Sequence, residues 1–281
     1  MIAVSLALAA AIAWGLADYM GGIQTRRLSG VLVVLVSQAC ALVLLLTVVG
    51  VVQPALALPT RAAAWAAVAG CAEALGLAAL YQGLGLGAMS LVAPIAATGV
   101  LLPVVVGAAG GDRPSTLQVI GMAAAVTGTL LACRQVREQR ATSASLPQGL
   151  ALALAAAVAF GIGLTAIQRA AAADVVGTVV VARATSVLLL ALAIATLRPP
   201  IAGVGRSLAP VATVGVLDLA ATLLFALATT KGLLSIVSVT AGLAPIVTVI
   251  LAWVLLEERL RPTQALAVSL AMVGVVCIGA G

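Results

Sequence analysis

The sequence predicts an all-α integral membrane protein of ten transmembrane helices, arranged as two inverted five-helix repeats. Three observations predict this. Of 281 residues, 64% are hydrophobic and 8% charged, whereas a soluble domain runs about 45–50% apolar and about 25% charged because it must wet its surface. The apolar runs recur at about 20 residues each, the length that crosses a bilayer. Finally, shifting the chain by 146 residues brings Ala13 onto Ala159, Gly15 onto Gly161, Leu42 onto Leu188, Arg113 onto Arg259, Gln118 onto Gln264 and Gly128 onto Gly274, with Trp14 on Phe160 and Asp112 on Glu258. The polar and aromatic matches carry the weight, because those residues are rare here.

Breaks of charge, Pro and Gly place the spans, in order, at roughly 2–22, 31–52, 63–84, 90–109, 116–133, 148–169, 175–197, 209–230, 235–256 and 263–280. The first run, Met1 to Met20, lacks the basic leading region of a signal peptide; it has a counterpart across the repeat and reads as a span. Between the third and fourth spans Gly83, Gly85 and Gly87 form a GxGxG run. It has no strand before it and no suitable acid after it, so close helix packing explains it better than dinucleotide binding. The longest polar stretch, Arg134 to Pro147, falls near mid-chain. It separates a first repeat, 3–132, from a second, 148–279, with 134–147 as linker. Five spans per half make the second half enter the membrane in the opposite sense, the inverted arrangement of transporters that rock around a site between their halves.

Composition also excludes functions. The net charge is +6, but the arginines stand singly or in pairs at the ends of apolar runs; that is a topology pattern rather than a basic face for nucleic acid. There is no histidine, hence no imidazole-based triad and no zinc site of the usual kind. Cys40, Cys71, Cys133 and Cys277 lie in apolar runs without CxxC spacing and read as small hydrophobes. No GxxxxGK[ST] motif supports ATP-driven pumping. No cofactor or metal is expected. A membrane-embedded enzyme would need a cluster of reactive groups, and Asp112 with Arg113 and Glu257 with Glu258 sit at span ends, where topology accounts for them. No ring of charges or carbonyl-filter motif points to a channel.

The informative residues are polar and far from span ends. A charge at the bilayer centre costs about 2.5–3.5 kcal/mol, so Glu73, Arg183 and Asp218 together would cost roughly 9 kcal/mol facing lipid. They must face protein or a watered cavity. Glu73 and Asp218 lie mid-span, 145 residues apart, as a pathway at the repeat interface requires, and a buried carboxyl there suits proton coupling. The competing reading is an ion pair of Arg183 with Asp218 or Glu73 that only locks helices together. Asp18, near the end of the first span, either lines a cavity mouth or solvates a helix end. Lys231 ends the eighth span and snorkels to the interface. Trp14 and Tyr81 lie away from the interfacial belts and are candidate pocket walls, with helix packing as the alternative. Pro94, Pro103 and Pro245 interrupt the fourth and ninth spans and are candidate hinges or site-lining bends.

The stretches Trp14-Gly15-Leu16-Ala17-Asp18, Ser90-Leu91-Val92-Ala93-Pro94 running into Pro103, Gly111-Asp112-Arg113-Pro114, and Leu256-Glu257-Glu258-Arg259-Leu260 resemble the EamA-like permeases of the drug/metabolite transporter superfamily. The likeness covers both halves. It implies a ten-helix permease of the bacterial inner (cell) membrane with a central cavity, commonly an exporter of amino acids or other small metabolites. The expected function is therefore secondary transport of a small organic molecule by alternating access, driven by its own gradient or by proton exchange. The expected partners are that substrate and the lipid bilayer, and the protein is expected to act as a monomer or homodimer. The rival is a non-transporting membrane scaffold. Nine arginines on one side against Arg61, Arg113, Arg169 and Lys231 on the other place both termini outside by the positive-inside rule; the resemblance implies termini inside.

Overall fold

The computed structural model describes residues 1–24, 28–52, 58–85, 95–133, 146–197, 204–255 and 262–281. Those residues are helical apart from short turns and connections. In chain order the helices are α1 (Ile2–Gln24), α2 (Gly30–Val52), α3 (Thr60–Gly85), a 3-10 turn (Thr98–Val100) leading into α4 (Leu101–Ala109), α5 (Thr116–Cys133), α6 (Leu146–Ala171), α7 (Val175–Leu197), α8 (Val204–Thr229), α9 (Leu234–Ala241), α10 (Ala244–Leu255) and α11 (Pro262–Ala280). Six of them, α1, α2, α3, α6, α7 and α8, are long and apolar enough to cross a membrane, and four shorter apolar stretches accompany them: Ile95–Ala109, Thr116–Leu131, Leu234–Val247 and Ala265–Ala280. At 1.5 Å per residue, the 23 residues of α1 extend about 34 Å, enough for a hydrocarbon core of about 30 Å.

Local chemistry sets several helix starts. Ser115 and Gln118 form a reciprocal capping box at α5: the Gln118 amide donates to Ser115 Oγ at 3.2 Å and the Ser115 amide to Gln118 Oε1 at 2.9 Å. Asp174 caps α7 by accepting from the Gly177 amide. Pro262 occupies the first position of α11, where its missing N–H removes no bond the helix needs. The helical path is interrupted just before Pro103 and Pro245. Pro103 leaves the Gly99 carbonyl and Pro245 the Ala241 carbonyl without its helical donor, and the chain tightens to a 3-10 turn at Thr98–Val100 and turns at Gly242 and Leu243. Pro94 and most of the 134–147 linker lie outside the described residues, although α6 already begins at Leu146.

The packing is inside out compared with a soluble protein. Ala7, Ala10, Ala41, Ala66, Ala153, Ala156 and Ala226 are buried, while Leu46, Leu154, Val158, Leu188, Leu192 and Val276 are exposed, as an environment of lipid tails favours. Small residues let backbones approach. Helix α1 packs on α8 and α3 on α6, while α2 packs on α7, α4 on α9 and α5 on α11. The closest approaches use glycine in matched pairs. A methyl at Gly70 on α3 would overlap the Ala182 carbonyl of α7, and one at Gly215 on α8 would overlap the Ser37 carbonyl of α2. Likewise Gly15 faces Ala244 and Val247, and Gly161 faces Gly99 and Leu102. In both sets every contact partner has its counterpart 145 or 146 residues away.

Gly215→Ala is therefore expected to cost about 1–3 kcal/mol by overpacking, read as a lowered thermal unfolding midpoint in detergent. Gly50→Ala, in open space, is expected to leave the midpoint unchanged or raised.

Candidate functional site

The site forms where α2, α3, α7 and α8 meet. Arg183 on α7 is 1% exposed and lies between Glu73 on α3 and Asp218 on α8, whose side chains keep 23% and 22% of their surface. Its Nη1 donates to Asp218 Oδ2 at 2.5 Å, to Gln38 Oε1 on α2, and to Glu73 Oε1 at 3.3 Å. Its Nη2 donates to Thr222 Oγ1 at 3.0 Å, and that hydroxyl donates to the Asp218 carbonyl at 2.9 Å. Gln38 Nε2 donates to Glu73 Oε1 at 2.9 Å. Trp14 on α1 closes the cluster: its indole Nε1 donates to Asp218 Oδ1 at 3.1 Å and its ring lies 5.7 Å from Phe225, tilted at 42°.

Sequence positions repeat in this geometry. Gln38 and Glu73 are 35 residues apart, as are Arg183 and Asp218, and Gln38 and Arg183 are 145 apart, the separation of Glu73 from Asp218. Trp14 packs against Phe225, while Phe160 and Leu80, the residue 145 before Phe225, both border the cluster of Ala79, Ala96 and Ala156. The four central polar residues thus fall into two pairs of equal spacing, one with a neutral amide where the other has a guanidinium.

Of the residues singled out from sequence, Glu73, Arg183, Asp218 and Trp14 come together. The ion pair foreseen as a helix lock exists, and to both acids. Asp18 is exposed, one turn along α1 from Trp14, and close enough to Asp218 to feel its charge. Tyr81 lies within α3, but its side chain is outside the described residues, as is Pro94. Pro103 and Pro245 belong to the helix breaks, not to the cluster. Where those breaks face each other, Ala97, Val100, Val126, Thr129, Leu130, Val239 and Gly242 line a cavity of about 10 Å³, room for about one water. Lys231 is exposed in the turn after α8. Arg169, counted as a topology charge, lies over the Trp65 ring at 4.9 Å. Cys40, Cys71 and Cys277 are free thiols of intermediate burial.

Three participants escaped the sequence reading. Gln38 and Thr222 are uncharged and so did not stand out, although the repeat offset from Arg183 points to Gln38. Asp112, taken as a span-end charge, accepts from the Ser235 amide and hydroxyl at 2.9 Å each and so holds the start of α9. Gly111, with φ of +100°, makes the turn that brings it there. Among the described residues, no group of three or more His, Cys, Asp or Glu is placed to hold a metal.

A bundle of apolar helices closed around a paired charge cluster defines a polytopic helical membrane protein. Residues 147–280 match the model of the EamA-like transporter family. No curated protein matches the chain. Among solved structures, 27 chains match; one, titled "Crystal structure of protein", superposes with a TM-score of 0.82 over 98% of this chain and 96% of its own at 17% identity, a likeness of fold.

Arg183→Gln removes the cation from two buried acids. Breaking such a pair costs about 3–5 kcal/mol, so thermal unfolding is expected to fall sharply, and adding Asp218→Asn to that variant is expected to recover part of the loss in a double-mutant cycle.

Proposed function

We propose that the protein is a secondary transporter of the bacterial inner membrane, with ten spans in two inverted five-helix repeats, exporting a small organic metabolite such as an amino acid by alternating access. The observation that carries this reading is the cluster of Gln38, Glu73, Arg183 and Asp218, whose members meet in the bundle at one common sequence offset of 145 residues. The matched glycine contacts, the cross-packing of first on third helices and the paired breaks in the fourth and ninth spans support the same reading. Such a pattern is what two structurally equivalent units give when they interlock. The six long and four shorter apolar stretches support a count of ten spans. Charge so deep in a membrane marks a functional pathway by default, and Trp14 presents an aromatic face beside Asp218 for an apolar substrate group.

Substrates are accessible through a panel of labelled amino acids and related metabolites in proteoliposomes, measured with and without a pH gradient. Expected is saturable exchange of one class, responding to the pH gradient and reduced about tenfold or more, equivalent to about 1.4 kcal/mol or more, by Trp14→Ala in protein that still folds. Flux indifferent to both substrate and proton gradients contradicts the reading.

A further inference from the structure

We propose that Glu73 is the proton-carrying carboxyl of the cluster, while Asp218 is the permanent counter-ion of Arg183. The inference rests on the transport reading above and divides the labour between two acids that sequence position makes equivalent.

The donors are not shared equally. Arg183 Nη1 has two N–H bonds and three acceptors around it: Gln38 Oε1, Asp218 Oδ2 and Glu73 Oε1. Asp218 and Gln38 lie nearer, and Glu73 accepts the longest of the three bonds, at 3.3 Å, together with one amide bond from Gln38. Asp218 is held at both oxygens, Oδ2 by Arg183 and Oδ1 by Trp14 Nε1. Glu73 has both of its contacts on Oε1; among the described residues no donor reaches Oε2. With both acids ionised the cluster carries one more negative than positive charge, and a surplus charge at membrane depth favours its own neutralisation. Protonation of Glu73 at Oε2 removes it without breaking any bond in the cluster. Protonation of Asp218 would place a hydrogen on an oxygen already accepting from Arg183 or Trp14.

The surroundings of Glu73 leave this assignment intact. From α7 it faces Arg183, from α8 Asp218 and from α2 the neutral Gln38. On α6 Gly163 faces Ala72 and the backbone of Glu73, and that helix's Arg169 lies over Trp65, two turns of α3 away. A hard metal cation asks for about six or more oxygen ligands; a single free carboxylate oxygen suits a proton.

The test is pH-dependent infrared difference spectroscopy of the full chain in vesicles, following the carbonyl band of a protonated carboxyl, in sodium and in choline salts. Expected is a titrating band equivalent to one proton per chain, the same in both salts, absent in Glu73→Gln, displaced in frequency in Glu73→Asp and unchanged in Asp18→Asn. A band that survives Glu73→Gln, that vanishes in Asp18→Asn, or that is missing from folded wild-type protein overturns the assignment. The measurement needs no substrate, so inactivity in the transport assay would overturn the transport reading and not this one.

Discussion

A guanidinium does not give up its proton in a protein, so Arg183 carries its charge wherever the chain places it, and the middle of a membrane bundle is the costliest place available. The surrounding structure follows from satisfying it. Four helices must converge so that Gln38, Glu73, Asp218 and Thr222 all reach one side chain. Trp14 then brings a fifth helix to the same point through Asp218.

Convergence that tight demands small residues. Helices separated by leucines would hold the polar groups too far apart to bond, so alanine fills the interior and glycine sits where backbones touch, at Gly70 against Ala182 and Gly215 against Ser37. Both contacts lie next to the cluster in sequence, Ala182 beside Arg183 and Ser37 beside Gln38. The large apolar side chains, displaced from the interior, face outward, where lipid is as good a solvent for them as protein. Polar cluster and small-residue packing are therefore one constraint: the charge sets the distance and the glycines permit it.

Much of this was legible in the sequence because membranes simplify the problem. Helix positions followed from apolar runs, and Glu73, Arg183 and Asp218 stood out because charge inside a span is costly unless it is paired or watered. Trp14 was singled out for its depth, but its indole bond to Asp218 depends on the packing of α1 on α8, which no local pattern encodes. Gln38 and Thr222 were missed because uncharged polar residues are cheap enough in helices to pass unnoticed. The role of Asp112 was hidden by its place at a span end, where a charge needs no further reason. The repeat offset was the one long-range signal in the chain, and it led to the pairing of Glu73 with Asp218; carried one step further it leads to Gln38.

The central claim is that the two halves contribute equivalent positions to a single charge cluster, so that the cation is needed and its half of origin is not. The most direct test exchanges the odd pair across the halves: Gln38→Arg is introduced into the Arg183→Gln chain and thermal unfolding is compared with wild type and with each single variant. The account predicts that the exchanged chain regains most of the stability that Arg183→Gln alone loses. An exchanged chain no more stable than Arg183→Gln alone would contradict it.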